Sequence, residues 1–140
     1  MINQIENLDI TSVYTLQLPS NTNSIALVEN FIDELSVKFG FSDLLYANVL
    51  TCLSEAVVNG IIHGNRQRPD KKVYINLEVI EEKQFIFTIS DEGEGFNLNS
   101  LPDTRATENL TGRGVFLINK LADQCIFNSK GNEVELHFKI

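Results

Sequence analysis

Gly64-Asn65-Arg66-Gln67-Arg68-Pro69-Asp70 is the stretch that decides the fold, because the hydrophobic period changes across it. Upstream, Leu45, Val49, Cys52, Leu53, Ala56 and Ile62 recur at helical spacing, which predicts a helix from about Asp43 to His63 behind Ser42 as N-cap. Downstream, Val73, Ile75, Leu77 and Val79 occupy every second position. Glu81-Glu82-Lys83 then turns the chain, and Phe85, Phe87 and Ile89 resume the alternation, so an antiparallel hairpin delivers Asp91 to a strand end.

Towards the N-terminus, Thr11 to Leu18 alternates as a strand stopped by Pro19-Ser20. Asn23 or Ser24 caps a helix whose stripe is Ile25, Leu27, Val28, Phe31, Ile32 and Leu35, ending near Gly40. Towards the C-terminus, the chain from Glu92 to Gly112 has little periodicity, the mark of a functional connection. A helix from about Arg113 to Ala122 follows, then a hairpin of Cys125 to Asn128 and Val134 to Ile140 around Lys130-Gly131-Asn132. The order β-α-α-β-β-α-β-β predicts an α+β two-layer sandwich over 1–140, one domain, with a mixed, mostly antiparallel sheet and helices on one face.

Composition agrees with one globular domain: 140 residues, 43% hydrophobic and 21% charged. Apolar runs such as Phe85 to Ile89 are far shorter than the roughly 20 residues that span a bilayer, so no membrane segment is expected. The start, Met1-Ile2-Asn3-Gln4-Ile5-Glu6, lacks the features of a secretory signal, and a cytoplasmic protein is expected. Cys52 and Cys125 read as reduced core residues rather than a redox or zinc pair. A net charge of −8 argues against nucleic acid as a partner.

Three segments carry candidate chemistry. Glu55, Asn59 and His63 are spaced by four on one predicted helix, each rotated about 40° from the last, so they share a face. The Asn59 amide oxygen is a hard neutral ligand suited to magnesium on a triphosphate, and Glu55 could take a proton from a nucleophile. A solvated helix face is the competing reading of that pair, and a C-terminal cap that of His63. Asp91-Glu92-Gly93-Glu94-Gly95-Phe96 places a carboxylate where it can accept from an adenine amine, with Gly93 and Gly95 permitting close backbone approach; a plain turn has the same pattern. Thr111-Gly112-Arg113-Gly114 opens a helix whose free amides favour phosphate, with Arg113 reading as a phosphate contact or a solvated side chain. Each is weak alone; the three in this order point to a nucleotide.

Ser54-Glu55-Ala56-Val57-Val58-Asn59-Gly60-Ile61-Ile62-His63-Gly64, Asp91 to Gly95 and Gly112 to Gly114 together resemble the boxes of the GHKL ATPase superfamily, which adopts the Bergerat ATP-binding fold. The similarity is greatest to anti-sigma-factor serine/threonine kinases of the sporulation and stress-response type, and runs from near Thr15 to the C-terminus. The resemblance implies ATP and Mg2+ as cofactors, Asn59 as the metal ligand, Glu55 as the group that activates the acceptor and Asp91 as the reader of adenine. It places Gly93, Gly95, Thr111, Gly112 and Gly114 at the nucleotide, joined by His63, Arg105 and Arg113, with 97–111 as a lid. It further implies a homodimer and a partner-switching regulator that phosphorylates a serine of an anti-anti-sigma-like antagonist and sequesters a sigma factor. A non-catalytic nucleotide-dependent binding module is the alternative. Where that family carries alanine after the asparagine this chain has Gly60, and where it carries tyrosine after His-Gly this chain has Asn65.

Overall fold

The computed structural model describes residues 10–94 and 117–140. Strand β1 (Ile10–Pro19) leads through a tight turn into helix α1 (Ser24–Phe39), and α2 (Asp43–Val58) runs on into a π-helical turn, Asn59–Gly64. Strands β2 (Lys72–Ile80) and β3 (Gln84–Asp91) form the central hairpin, and β4 (Gln124–Phe127) and β5 (Glu133–Lys139) the terminal one. Residues 117–121 are helical; where the helix expected from Arg113 begins lies outside the described residues.

Local chemistry fixes the helix ends. Ser42 accepts the Leu45 N–H at 3.1 Å, as expected of an N-cap. Asn23 is the N-cap of α1 but makes no side-chain cap bond; the Ser24 hydroxyl instead donates to the Pro19 carbonyl at 2.7 Å and ties the helix start to the end of β1. Gly40 closes α1 at φ 67°, a conformation that favours glycine, while the Phe41 N–H reaches back to the Ser36 carbonyl.

The sheet order is β1-β2-β3-β5-β4, and all four ladders are antiparallel. Alternation buries one face: Val73, Ile75, Leu77 and Val79 on β2, Phe85, Phe87 and Ile89 on β3, and Val134, Leu136 and Phe138 on β5. Val28, Ile32 and Leu35 of α1 and Val49, Cys52, Leu53, Ala56 and Val57 of α2 join them in one core. Phe85 meets Phe39 and Phe41 edge-on at centroid distances of 5.2 and 5.1 Å. Two stripe positions differ from expectation: Leu27 is 46% exposed, and Ile61 rather than Ile62 is fully buried, because the helix changes pitch at Asn59.

Asp43–Gly64 is long and apolar enough, by length and composition alone, to cross a membrane; its apolar side packs on the sheet. Burial pushes the Cys52 thiol up to about 12 and the Cys125 thiol up to about 11, which matches inert core cysteines. The β2–β3 connection is the three-residue turn Glu81-Glu82-Lys83, with Glu81 and Glu82 both left-handed, at φ 51° and 58°, and the Lys83 N–H donating to the Ile80 carbonyl.

Candidate nucleotide site

The site forms where α2 gives way to the π turn. The Asn65 N–H closes on the Gly60 carbonyl at 2.7 Å, five residues back, so the last turn is wider than an α turn. Equal spacing of Glu55, Asn59 and His63 on one line assumes four-residue closure throughout. Asn59 and His63 do line a common cavity; Glu55, half-buried one turn earlier, is not part of its wall.

That cavity has a volume of about 230 Å³. The helix side supplies Ala56, Asn59, Gly60, His63 and Gly64, the sheet supplies Ile89, Asp91, Glu133 and Val134, and Ile118, Phe127 and the β4–β5 turn at Gly131 and Asn132 also line it. Apolar walls with a few fixed polar groups suit a planar base. Asp91, the last residue of β3, is held at three points. Its N–H donates to the Asn132 carbonyl at 3.0 Å, its carbonyl accepts from Asn132 Nδ2 at 3.2 Å, and its Oδ1 accepts the Gly93 N–H at 2.8 Å. Burial raises the Asp91 carboxyl above its ordinary pKa, opposed by the Gly93 hydrogen bond and by the charges of Lys130 and Lys71.

Two glycines make room for this turn. A Cβ at Gly64 would stand 2.5 Å from both Asp91 carboxylate oxygens. One at Gly93 would stand 2.5 Å from the Gly64 carbonyl carbon and 2.8 Å from its Cα, so the two backbones touch. Beyond this contact a smaller cavity of about 140 Å³ is lined by His63, Asn65, Arg66, Arg68, Lys71, Gly93 and Glu94. Arg66 and Gln67 adopt left-handed backbone, at φ 53° and 58°.

Asn65 is fully buried at the centre of this region. Its Nδ2 donates to Ser20 Oγ and to the Lys72 carbonyl, both at 2.9 Å, and its Oδ1 accepts the Glu92 N–H at 2.8 Å. One amide thereby joins the end of β1, the start of β2 and the turn after β3.

Of the residues singled out by sequence, Asn59, His63 and Asp91 converge on one cavity and Gly93 packs beside it. Gly95, Arg105, Thr111, Gly112, Arg113 and Gly114, and the proposed lid at 97–111, lie outside the described residues. Gly64, Asn65 and Asn132 have parts in this arrangement that no local sequence pattern signals. A glycine ending a helix reads as a cap, and asparagines in polar turns read as solvated; their partners are up to 45 positions away, beyond any local pattern.

Residues 18–138 match the family model described as histidine kinase-like ATPase domain. The chain is 37% identical over 81 residues to an anti-sigma F factor from Bacillus cytotoxicus, an alignment covering 54% of this chain and 55% of that one. Over 122 residues it is 26% identical to a serine-protein kinase RsbW from Listeria innocua, covering 78% and 74%. The chain thus spans about half the length of the first of these relatives. The solved RsbU and RsbW domains of a Mycobacterium tuberculosis protein superpose with a TM-score of 0.63 at 13% identity, over 92% of this chain and 32% of that one, which shows a shared fold. With the family model matched along most of its length and the cavity built at the matching elements, the chain belongs to the histidine kinase-like ATPase domain family.

Proposed function

We propose that the cavity between α2, β3 and the terminal hairpin binds MgATP, and that the protein is a serine/threonine protein kinase acting as an anti-sigma-type regulator by partner switching. The observation that carries this reading is the convergence of an amide, Asn59, and a half-buried carboxylate, Asp91, from two different elements on one mostly apolar cavity. Asp91 accepts from the exocyclic amine of adenine, the apolar walls cover the ring, and Asn59 faces the metal-bound phosphates.

The donor set fits magnesium. Among the described residues no three His, Cys, Asp or Glu side chains are placed to hold a metal. A cation here would rely on the Asn59 oxygen, nucleotide phosphates and water, an arrangement magnesium favours. When bound, the ion neutralises charge on the transferring phosphoryl group. Glu55 accepts the proton of the attacking serine hydroxyl. Arg105, Arg113 and the amides at Thr111, Gly112 and Gly114 are proposed phosphate contacts.

The substrate reading draws support from the relatives' names, anti-sigma F factor and serine-protein kinase. The acceptor is a serine of a small antagonist protein, and the competing partner a sigma factor, in a cytoplasmic homodimer. The alternative is a module that binds protein in a nucleotide-dependent way without transferring phosphate. Incubation with ATP labelled at its terminal phosphate and a candidate antagonist separates the two. Label on a partner serine, lost in Glu55→Ala, is the expected result. Nucleotide-dependent complex formation with no label on any antagonist would contradict the kinase reading.

A further inference from the structure

We infer that Asn65 is a positioning residue for the nucleotide base: its buried amide locks the turn that presents the Asp91 carboxylate to the cavity. The inference rests on the reading of that cavity as an ATP site. Asn65 is 0% exposed, and both ends of its side chain are engaged, Nδ2 by Ser20 Oγ and the Lys72 carbonyl, Oδ1 by the Glu92 N–H. The Oδ1 bond is the one that matters for the site. It fixes the peptide that joins Asp91 to Glu92, the unit directly downstream of the carboxylate.

Two further contacts show that this turn is held on purpose-built geometry rather than by the β3 ladder alone. Glu92 Oε2 accepts the Lys72 N–H at 2.6 Å and the Tyr74 hydroxyl at 3.3 Å, anchoring the turn to β2. The Gly93 N–H, on the next peptide, holds Asp91 Oδ1, so displacement of Glu92 also moves the donor that orients the carboxylate. Without Asn65 the part-buried Glu92 N–H loses its acceptor, and the turn relaxes towards other partners. An amine–carboxylate hydrogen bond weakens steeply with angle, so discrimination by the exocyclic amine falls before packing of the ring does.

The test compares ATP with purine riboside triphosphate, which lacks that amine, by calorimetric titration of wild type, Asn65→Ala, Asn65→Asp and Ser20→Ala, each with thermal unfolding in the absence of nucleotide. Wild type prefers ATP. Asn65→Ala is expected to weaken ATP about tenfold and the amine-free nucleotide by less than about twofold, the loss of one hydrogen bond. Asn65→Asp loses both Nδ2 bonds, which lowers its unfolding midpoint, but keeps an acceptor facing the Glu92 N–H and retains the preference. Ser20→Ala removes a partner on the far side of the amide, so it lowers the unfolding midpoint and leaves the preference intact. Equal weakening of both nucleotides in Asn65→Ala would mark a merely structural role and overturn the inference. If Asn65→Ala does not fold, loss of the preference in folded Asn65→Asp overturns it equally. Wild type binding neither nucleotide would instead sink the ATP reading itself, and the inference with it.

Discussion

Alanine at Gly64 adds one methyl group at the closest approach between the π turn and Asp91. The new Cβ would sit 2.5 Å from both carboxylate oxygens, and a carbon–oxygen contact needs about 3.4 Å, so the carboxylate must retreat by about 1 Å. Its backbone cannot follow freely, because the Asp91 N–H and carbonyl are both bonded to Asn132 and its ladder partner is Val73. Gly64 does not sit in the left-handed region, so alanine recovers about 1 kcal/mol of helix propensity against about 1–3 kcal/mol of overpacking. Net destabilisation should therefore stay below about 2 kcal/mol, leaving a folded protein. Ligand binding should suffer far more: a carboxylate displaced by that distance loses its hydrogen bond, and ATP affinity should fall about 10- to 100-fold. Calorimetric titration with MgATP beside thermal unfolding separates the two effects. Gly60→Ala is the control, since its Cβ would meet a Val73 methyl at 3.2 Å and the Asp91 Cβ at 3.5 Å but neither carboxylate oxygen within the three nearest atoms, and affinity should change by less than about threefold. Unchanged ATP affinity in folded Gly64→Ala would refute the assignment of Asp91 as a base contact.

Phe85→Ala removes a fully buried ring that contacts Phe39 and Phe41, and should cost about 3–5 kcal/mol in urea unfolding. Replacing the left-handed Glu81 and Glu82 by Asn and Gly in the β2–β3 turn should stabilise the protein by about 1–2 kcal/mol in the same assay, since that pair favours this conformation. Burial raises the Asp91 carboxyl above its ordinary 3.8, so the native state holds this proton more tightly than the unfolded chain. The group's contribution to stability is then complete below 3.8 and is lost as pH rises through the raised native value. Asp91→Asn, which cannot ionise, should remove that pH dependence and unfold no earlier than wild type at neutral pH, while losing ATP binding.

Much of the architecture was legible because periodicity reports burial directly. The stripe of α2 and the alternation of β2 and β3 are one-dimensional images of which side faces the core, and the change at Gly64–Asp70 separates them. The sheet order was not legible: β5 lies beside β3, with β4 outside it, and nothing local to either hairpin encodes that pairing. The π turn was hidden for a related reason, since it depends on Gly60 and Gly64 fitting under β2 and Asp91 rather than on helix propensity. Asn59 and Asp91 stood out as candidates because a helix-borne amide and a strand-end carboxylate are groups a nucleotide site would use, and both line one cavity. Asn65 was not, because an asparagine between Gly64 and Arg66 has every local mark of an exposed turn, and only its three distant partners make it part of the core.

The most direct test of the site is titration of the protein with ATP with and without magnesium, beside Asn59→Ala. Magnesium should strengthen ATP binding in wild type, and the variant should bind about tenfold or more weakly, with most of the magnesium dependence gone. Absence of binding at millimolar ATP, or magnesium dependence that survives in Asn59→Ala, would contradict the proposed MgATP site.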